Sequence, residues 1–444
     1  VTMRRNWLRI TVFALLSLLI LSACGGGSST ADNSAGDTPG VLDKDKKYTV
    51  EFWEAFATST NKTALETLTK QYMEKNPNVT IKLQAFDSYD TLRTKLNGAI
   101  SDGKPPAMAQ VYESWAMKYK QSDALASLKP YIEGKNGFSK DELNDFYPVL
   151  LKDGELEGEQ YMLPFNKSVI VLYYNEDMLK KEGIAVPQTF DELNAAIQKL
   201  TKSDGSRWGL SLTPSVDDWS ILYKAFGGGD FTSSDGTKAV FGDEPNAKAS
   251  LQALKNFAPL VKSGAVHVTK QYNWQNDFAS GKAAFAISTV ASYPFVKKAV
   301  DGKFKVNQAV MPSGPSGHFT SLFGTNLAMF SGVDNDTRNA AWDYMKFLVS
   351  SASNSYFVQQ TGYMPVRKSA AESPELKKYF EQNPDRKAGP DSMAYGFVPS
   401  VMPAWDDCRT EITTNYTSAL TGQASPEDAL KKMSQACSSA LSQG

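Results

Sequence analysis

"YTVEFW" at 48–53 decides the fold. Its β-branched and aromatic residues read as a strand. The stretch that follows, "NKTALETLTKQYMEKNPN" (61–78), sets Leu65, Leu68 and Tyr72 on one helical face and stops at Asn76-Pro77. "VTIKLQAF" (79–86) alternates Val79, Ile81 and Leu83, a second strand. "YDTLRTKLNGAI" (89–100) carries Leu92 and Leu96 four apart, as a helix does, and "PPAMAQVYE" (105–113) is a third strand ending at Glu113. The order β-α-β-α-β predicts a mostly parallel sheet flanked by helices. Ligands of such sheets sit beyond the carboxyl ends of the strands. The segments after Trp53, near Tyr89 and at Glu113 are therefore the first site candidates.

Downstream, 161–163 and 170–174 read as strands broken at Pro164. "TFDELNAAIQKLTK" (189–202) is a helix with Thr189 as N-cap and Glu192 at capping-box spacing. "KAAFAIS" (282–288) and "TNLAMFSG" (325–332) are strands, "RNAAWDYMKFLVS" (338–350) is an amphipathic helix, and the tail is mainly helical. No internal repeat is visible. About 400 residues exceed one ordinary core, which predicts two lobes.

The front end is different. Arg4, Arg5 and Arg9 precede an apolar run from Ile10 to Leu21, and "LLSLLILSACGGGSST" (15–30) places Cys24 where that run meets Gly and Ser. A basic start, a short apolar stretch and small residues before a cleavage point make 1–23 a secretory signal. The run is too short for a comfortable membrane span. "LSAC" resembles the bacterial lipobox, which implies that Cys24 carries lipid and holds the chain on a membrane; an incidental cysteine after an ordinary signal is the other reading. Residues 24–46, rich in Gly, Ser and Asp, read as a flexible tether. Cys408 and Cys437 remain; outside the cytoplasm they can bridge, or stay as two buried thiols.

With 47 basic against 48 acidic residues the net charge is −1, which leaves no footprint for nucleic acid. The two histidines, His267 and His318, are far apart, and no zinc-protease, nucleophile-elbow, P-loop or C-x-x-C motif occurs. Neither a metal nor a cofactor is expected. A Ser-His-Asp triad or a carboxylate pair assembled from distant positions stays open, so a surface hydrolase is the rival from another class.

Several stretches resemble extracellular solute-binding proteins of carbohydrate-type ABC importers, in the same order: the lipobox, "VEFWEAF", "PPAMAQVYESW", "LPFNKSVIVLYYNEDMLKKEGI", "PQTFDEL", "GKAAFAIS" and "QQTGYMPVRKSA". The resemblance is strongest to binders of glycerol-3-phosphate and glycerophosphodiesters. It implies a two-lobed α/β fold with a three-segment hinge, and no enzymatic activity. Crossings are expected at 164–168, 288–292 and 333–342, with one lobe from 47–166 plus 289–335 and the other from 167–288 plus 336–444. The implied partners are a small polar solute and ABC permease subunits, the implied state a monomer, and the implied place the outer face of the cell membrane.

The resemblance also implies a ligand set. Glu113 would accept from glycerol hydroxyls, with Tyr89 beside it. Ser168 and Ser292 would lie at the hinge, Gly324 would be a further ligand position, Trp219 would form a cleft wall, Tyr363 would line the cleft, and Arg409 would grip a phosphate through its planar fork. Each has a plain structural alternative: a solvated acid, a packing aromatic, a turn residue or a surface arginine. Glu54 departs from the pattern. An acid there would repel phosphate and would favour a neutral sugar or oligosaccharide.

Overall fold

A computed structural model describes residues 38–57, 60–399 and 404–442. The signal segment and Cys24 lie outside the described residues. In the strand Tyr48–Glu54 the alternate residues Tyr48, Val50 and Phe52 are buried. It pairs in parallel with Val79–Ala85 on one side and Met108–Val111 on the other. The expected β-α-β-α-β unit is thus present, with the helix Thr60–Lys75 packing Leu65, Leu68 and Tyr72 inward. Two antiparallel strands, Asn326–Met329 and then Met162–Pro164, complete this five-stranded sheet.

A second sheet is built around Ser168–Asn175, all of whose residues are buried. Thr320–Phe323, Val306–Ala309 and Ala283–Thr289 pair with it antiparallel. Trp208–Leu212 and Val266–Val268 extend the sheet in parallel. Helices cover both sheets, giving two α/β lobes.

The crossings differ in place from the sequence expectation. The first lies between Pro164 and Ser168, whose strands belong to different sheets. Residues 288–292 do not cross: after them the chain returns to the same sheet as Val306–Ala309. The second crossing is at Gly324–Thr325, between strands that belong to different sheets. Gly324 has φ +114°, and a Cβ there would lie 2.2 Å from the Asn166 carbonyl oxygen, so the two crossing segments touch backbone to backbone. The helix Asn335–Leu348, expected in the second lobe, instead packs on Tyr48–Glu54 in the first. The chain stays there through Lys368, whose amide donates to the Asp145 carbonyl (2.7 Å), and reaches the second sheet by Pro384–Arg386. Pairings between residues far apart in the chain, such as Phe323 with Ser168 and Asn326 with Val111, decide these crossings, and local pattern carries no trace of them.

The end of the expected tether is also not loose. The Gly40 amide donates to Asn339 Oδ1 (2.7 Å), Asn136 donates to the Gly40 carbonyl (2.8 Å), and Lys46 pairs with Asp336 (3.0 Å). Residues 38–46 are docked on the first lobe because these hydrogen bonds, together with Leu42 packed against the core, hold them.

The two crossings share a buried polar network. Lys167, 1% exposed, donates to Asp153 and to the Gly324 carbonyl (2.7 Å). Asn326 donates to the same Asp153 oxygen (2.8 Å). Asn166 Oδ1 accepts from Gln110 (3.1 Å) and from Thr325. A buried charge is tolerated when it is paired and hydrogen-bonded, and removing one partner is strongly destabilising. This cluster fixes where the strands cross.

Candidate functional site

Tyr89 opens the helix Tyr89–Ser101, whose N-cap Ser88 accepts from the Thr91 amide (3.1 Å). Its hydroxyl accepts from Asn166 Nδ2 (2.9 Å) and lies 3.4 Å from the Tyr363 hydroxyl. Tyr363 follows Gly362, the left-handed C-cap of Ser351–Thr361, and stacks on Phe357 with ring centroids 5.8 Å apart. The Met364 amide donates to the Lys167 carbonyl (2.7 Å), which brings this turn to the first crossing and to Ser168.

Glu113 is the first residue of the helix Glu113–Gln121, directly beyond the strand Met108–Val111. It is buried, and its Oε2 accepts no hydrogen bond within the described chain. Its carboxyl is pushed up to about 8, first by burial, then by Asp153; Lys167 and Arg409 pull the other way. A protonated carboxyl can both donate to and accept from a hydroxyl.

Arg409 approaches from the second lobe, on the helix Trp405–Leu420. Its Nη2 donates to Asp217 Oδ2 (3.0 Å), and the other oxygen of Asp217 accepts from Ser321 (2.8 Å). Ser321 is on the strand that runs into Gly324, so the arginine is anchored to the second crossing. Burial works against its charge, but Asp217 and Glu113 outweigh it and hold the guanidinium above its ordinary range. Cys408, next to Arg409, is bonded to Cys437, and the bridge ties Trp405–Leu420 to Pro426–Leu441.

Tyr89, Glu113, Tyr363 and Arg409 are thus brought together, with Gly324 and Ser168 at the hinge beneath. The Ser168 hydroxyl bonds that of Thr289. Ser292 is buried in the turn Val290–Ser292, its hydroxyl 3.2 Å from that of Ser288. Trp219 is placed elsewhere. It is fully buried in the second lobe's core, stacked on Tyr223 (5.2 Å) and edge-on to Phe241 (5.1 Å). Glu54 is also buried within the first lobe, accepting from the Phe56 amide. Burial first, then Glu66, pushes its carboxyl up to about 7. Its charged neighbours are on Thr60–Lys75, so its bearing on a phosphate at Arg409 falls away.

Two further residues of the candidate site escaped the sequence reading. Tyr112 packs edge-on to Tyr89 (5.3 Å) and Trp115 (5.1 Å). Its hydroxyl is held well above the usual range by burial, then by Tyr363 and Glu113, with Arg409 opposing. It stands between the lobes, and it was visible in the same "QVYE" that named Glu113. Asp217 was likewise visible in "DDWSIL".

The lobes also meet directly. Asp406, in the first turn of its helix, accepts from Arg93 Nη1 (2.9 Å) and Ser114 Oγ (2.9 Å), which lie on two different helices of the first lobe. Elsewhere, Asp277 Oδ2 accepts from Ser211 (2.7 Å) and lies 2.7 Å from His267 Nδ1. Serine and histidine both lean on the aspartate, whereas a relay needs serine bonded to histidine.

The profile of the bacterial extracellular solute-binding proteins matches residues 67–386. The chain belongs to this family. It is 25% identical over 352 residues to the sn-glycerol-3-phosphate-binding periplasmic protein UgpB of Escherichia coli K12, covering 76% of this chain and 78% of that protein. Among solved structures it resembles the GacH receptor of Streptomyces glaucescens, solved unliganded and with acarbose (TM-score 0.76, 22% identity, 89% of this chain, 98% of that one). It equally resembles UgpB of Mycobacterium tuberculosis in complex with glycerophosphocholine (TM-score 0.76, 21% identity, 89% and 98%). This solute-binding protein is therefore the substrate-binding component of an ABC importer of the carbohydrate type, related to UgpB, and not an enzyme. Among the described residues, no helix is long and apolar enough to cross a membrane.

Proposed function

We propose that this solute-binding protein captures a glycerophosphodiester between its lobes and delivers it to the permease, held to the membrane by lipid on Cys24. The observation that carries this reading is the opposition of Glu113 and Arg409. A buried acid with one unpartnered oxygen comes from the first lobe, and a guanidinium within its electrostatic reach comes from the second. Glu113 and Tyr89 suit the glycerol hydroxyls. Arg409, with the hydroxyls of Tyr363, Ser168 and Ser292 and the backbone at Gly324, suits the phosphate. Closure over the solute follows the hinge motion of two-lobed binders.

A neutral sugar or oligosaccharide is the second reading. It is favoured by Asp217, which already engages Arg409, and by the tyrosines 89, 112 and 363, whose faces suit sugar C–H surfaces. A thermal-shift screen separates the two. A ligand at 100 times its Kd stabilises by about 2.7 kcal/mol. Glycerophosphocholine should raise Tm by several degrees, and Arg409→Ala should remove most of that shift. A shift with oligosaccharides alone would replace the first reading by the second. Membrane fractionation of the wild type against Cys24→Ala reads the anchor: wild type in the soluble fraction would sink it.

A further inference from the structure

We infer that Asp217 sets the charge this site accepts, admitting polyols that are neutral, zwitterionic or singly negative and disfavouring doubly negative phosphate monoesters. The inference takes its ligand class from the proposed function but rests on a separate observation, the way the site's one guanidinium is already matched. Arg409 gives one N–H to Asp217, which is 7% exposed and fixed from its other oxygen by the fully buried Ser321. Asp217 therefore cannot swing away when a ligand arrives. The charged groups that bear on Glu113 are Asp153, Lys167 and Arg409. Of these, Lys167 is spent on Asp153 and the Gly324 carbonyl, within the hinge. Arg93, on the first lobe, is spent on Asp406.

The charge of the site is then close to balance before any ligand binds. Asp218, behind Asp217, does not alter this. Its side chain is tied to Ser215 Oγ (2.9 Å), and burial, with Asp217 as a further cause, pushes its carboxyl up to about 8, so it is mostly neutral at pH 7. A phosphodiester adds one negative charge and finds the remaining N–H donors of Arg409. A monoester at pH 7 adds about two, because its second proton leaves near pH 6. The second charge meets the Asp217 carboxylate across a poorly hydrated gap, where like charges repel strongly. The choline-type head of a zwitterionic diester would meet the tyrosine faces instead.

The test uses two probe pairs on the full-length protein at pH 7 and constant ionic strength, by calorimetry. One pair is glycerophosphocholine and glycerol-3-phosphate; the other is a neutral disaccharide and its phosphate monoester. The wild type should prefer the less charged member of whichever pair binds, by about tenfold or more. Asp217→Asn keeps an oxygen for Arg409 and should cut that preference by about 10- to 100-fold, mainly by improving the dianion. Asp217→Glu, which keeps the charge, should retain the wild-type preference. An unchanged ratio in Asp217→Asn, or a wild type that prefers the dianion, overturns the inference. If Asp217→Asn does not fold, the wild-type ratio still decides. Should only the disaccharide pair bind, the glycerophosphate reading fails while the charge selection is read from that pair. Binding of neither pair overturns both.

Discussion

Asp406→Ala should loosen the closed form and weaken solute binding without unfolding either lobe. The carboxylate spans the gap, taking Arg93 Nη1 and Ser114 Oγ at 2.9 Å each. The arginine contact is partly solvated, with side-chain exposures of 39% and 23%, so it contributes about 0.2–1 kcal/mol. Ser114 is 3% exposed, and its hydrogen bond to a carboxylate contributes about 1–1.5 kcal/mol. Together these shift closure by about 1.2–2.5 kcal/mol, or roughly 8- to 70-fold. A ligand that binds only the closed form loses apparent affinity by up to that factor. Asp406 also sits in the first turn of its helix, where a negative charge is favourable by about 0.3–1 kcal/mol. Arg93→Gln and Ser114→Ala remove the bridging contacts while leaving that helix intact, so they isolate the inter-lobe contribution. Calorimetry gives the affinity, and small-angle scattering of the unliganded protein should show a larger radius of gyration in Asp406→Ala. Unchanged affinity and unchanged radius in all three variants would refute the reasoning. A drop in Tm alone would assign Asp406 to its own helix.

Trp219→Ala should cost about 3–5 kcal/mol of stability, read by urea unfolding, because a fully buried ring stacked on Tyr223 is lost. The folded fraction should keep its Kd within about threefold; a large affinity loss at full stability would return Trp219 to the cleft. The unliganded protein should also lose stability as pH rises from about 4.5 to 8. Glu113 and Asp218 are raised to about 8 and Glu54 to about 7, so the folded chain holds protons that the unfolded chain has released. Tm should fall across that window and Glu113→Gln should flatten the fall; superimposable profiles for the two proteins would count against the buried-acid reading.

What the sequence made legible was local. Tyr48, Val50 and Phe52 alternate, Leu65, Leu68 and Tyr72 recur on one helical face, and each pattern survives in the structure because burial enforces it. Tyr89, Glu113 and Tyr363 were legible for a related reason: each stands where an element begins or ends, and loop ends beyond a parallel sheet converge. The second crossing was not legible. Gly324 reads as an ordinary turn glycine until Phe323 is known to pair with Ser168 and Asn326 with Pro164. The docking of 38–46 was hidden too, since composition reports few apolar side chains but not a backbone amide held by Asn339.

The placing of Trp219 in the core and of Asp217 against Arg409 is the most instructive departure from the sequence reading. Successive helical residues turn by about 100°, so positions 217 and 219 stand about 200° apart. On Val216–Ala225 one must therefore face the gap if the other faces the core. A large aromatic points inward by default, and Tyr223, four residues on, lies on the same face and stacks with it. That leaves Asp217 on the opposite side, against Arg409 and Ser321. The same reasoning works forward along Trp405–Leu420. Cys408 and Ile412, four apart, are both buried on its inner face. Arg409 is one step of about 100° from Cys408, at the margin of that face, where a long side chain can reach the gap while its stem stays packed. The disulfide at Cys408 thus holds the helix in the rotation that aims Arg409 at Asp217. The meeting of Arg409 and Asp217 follows from how two helices are rotated about their axes as much as from which residues they carry.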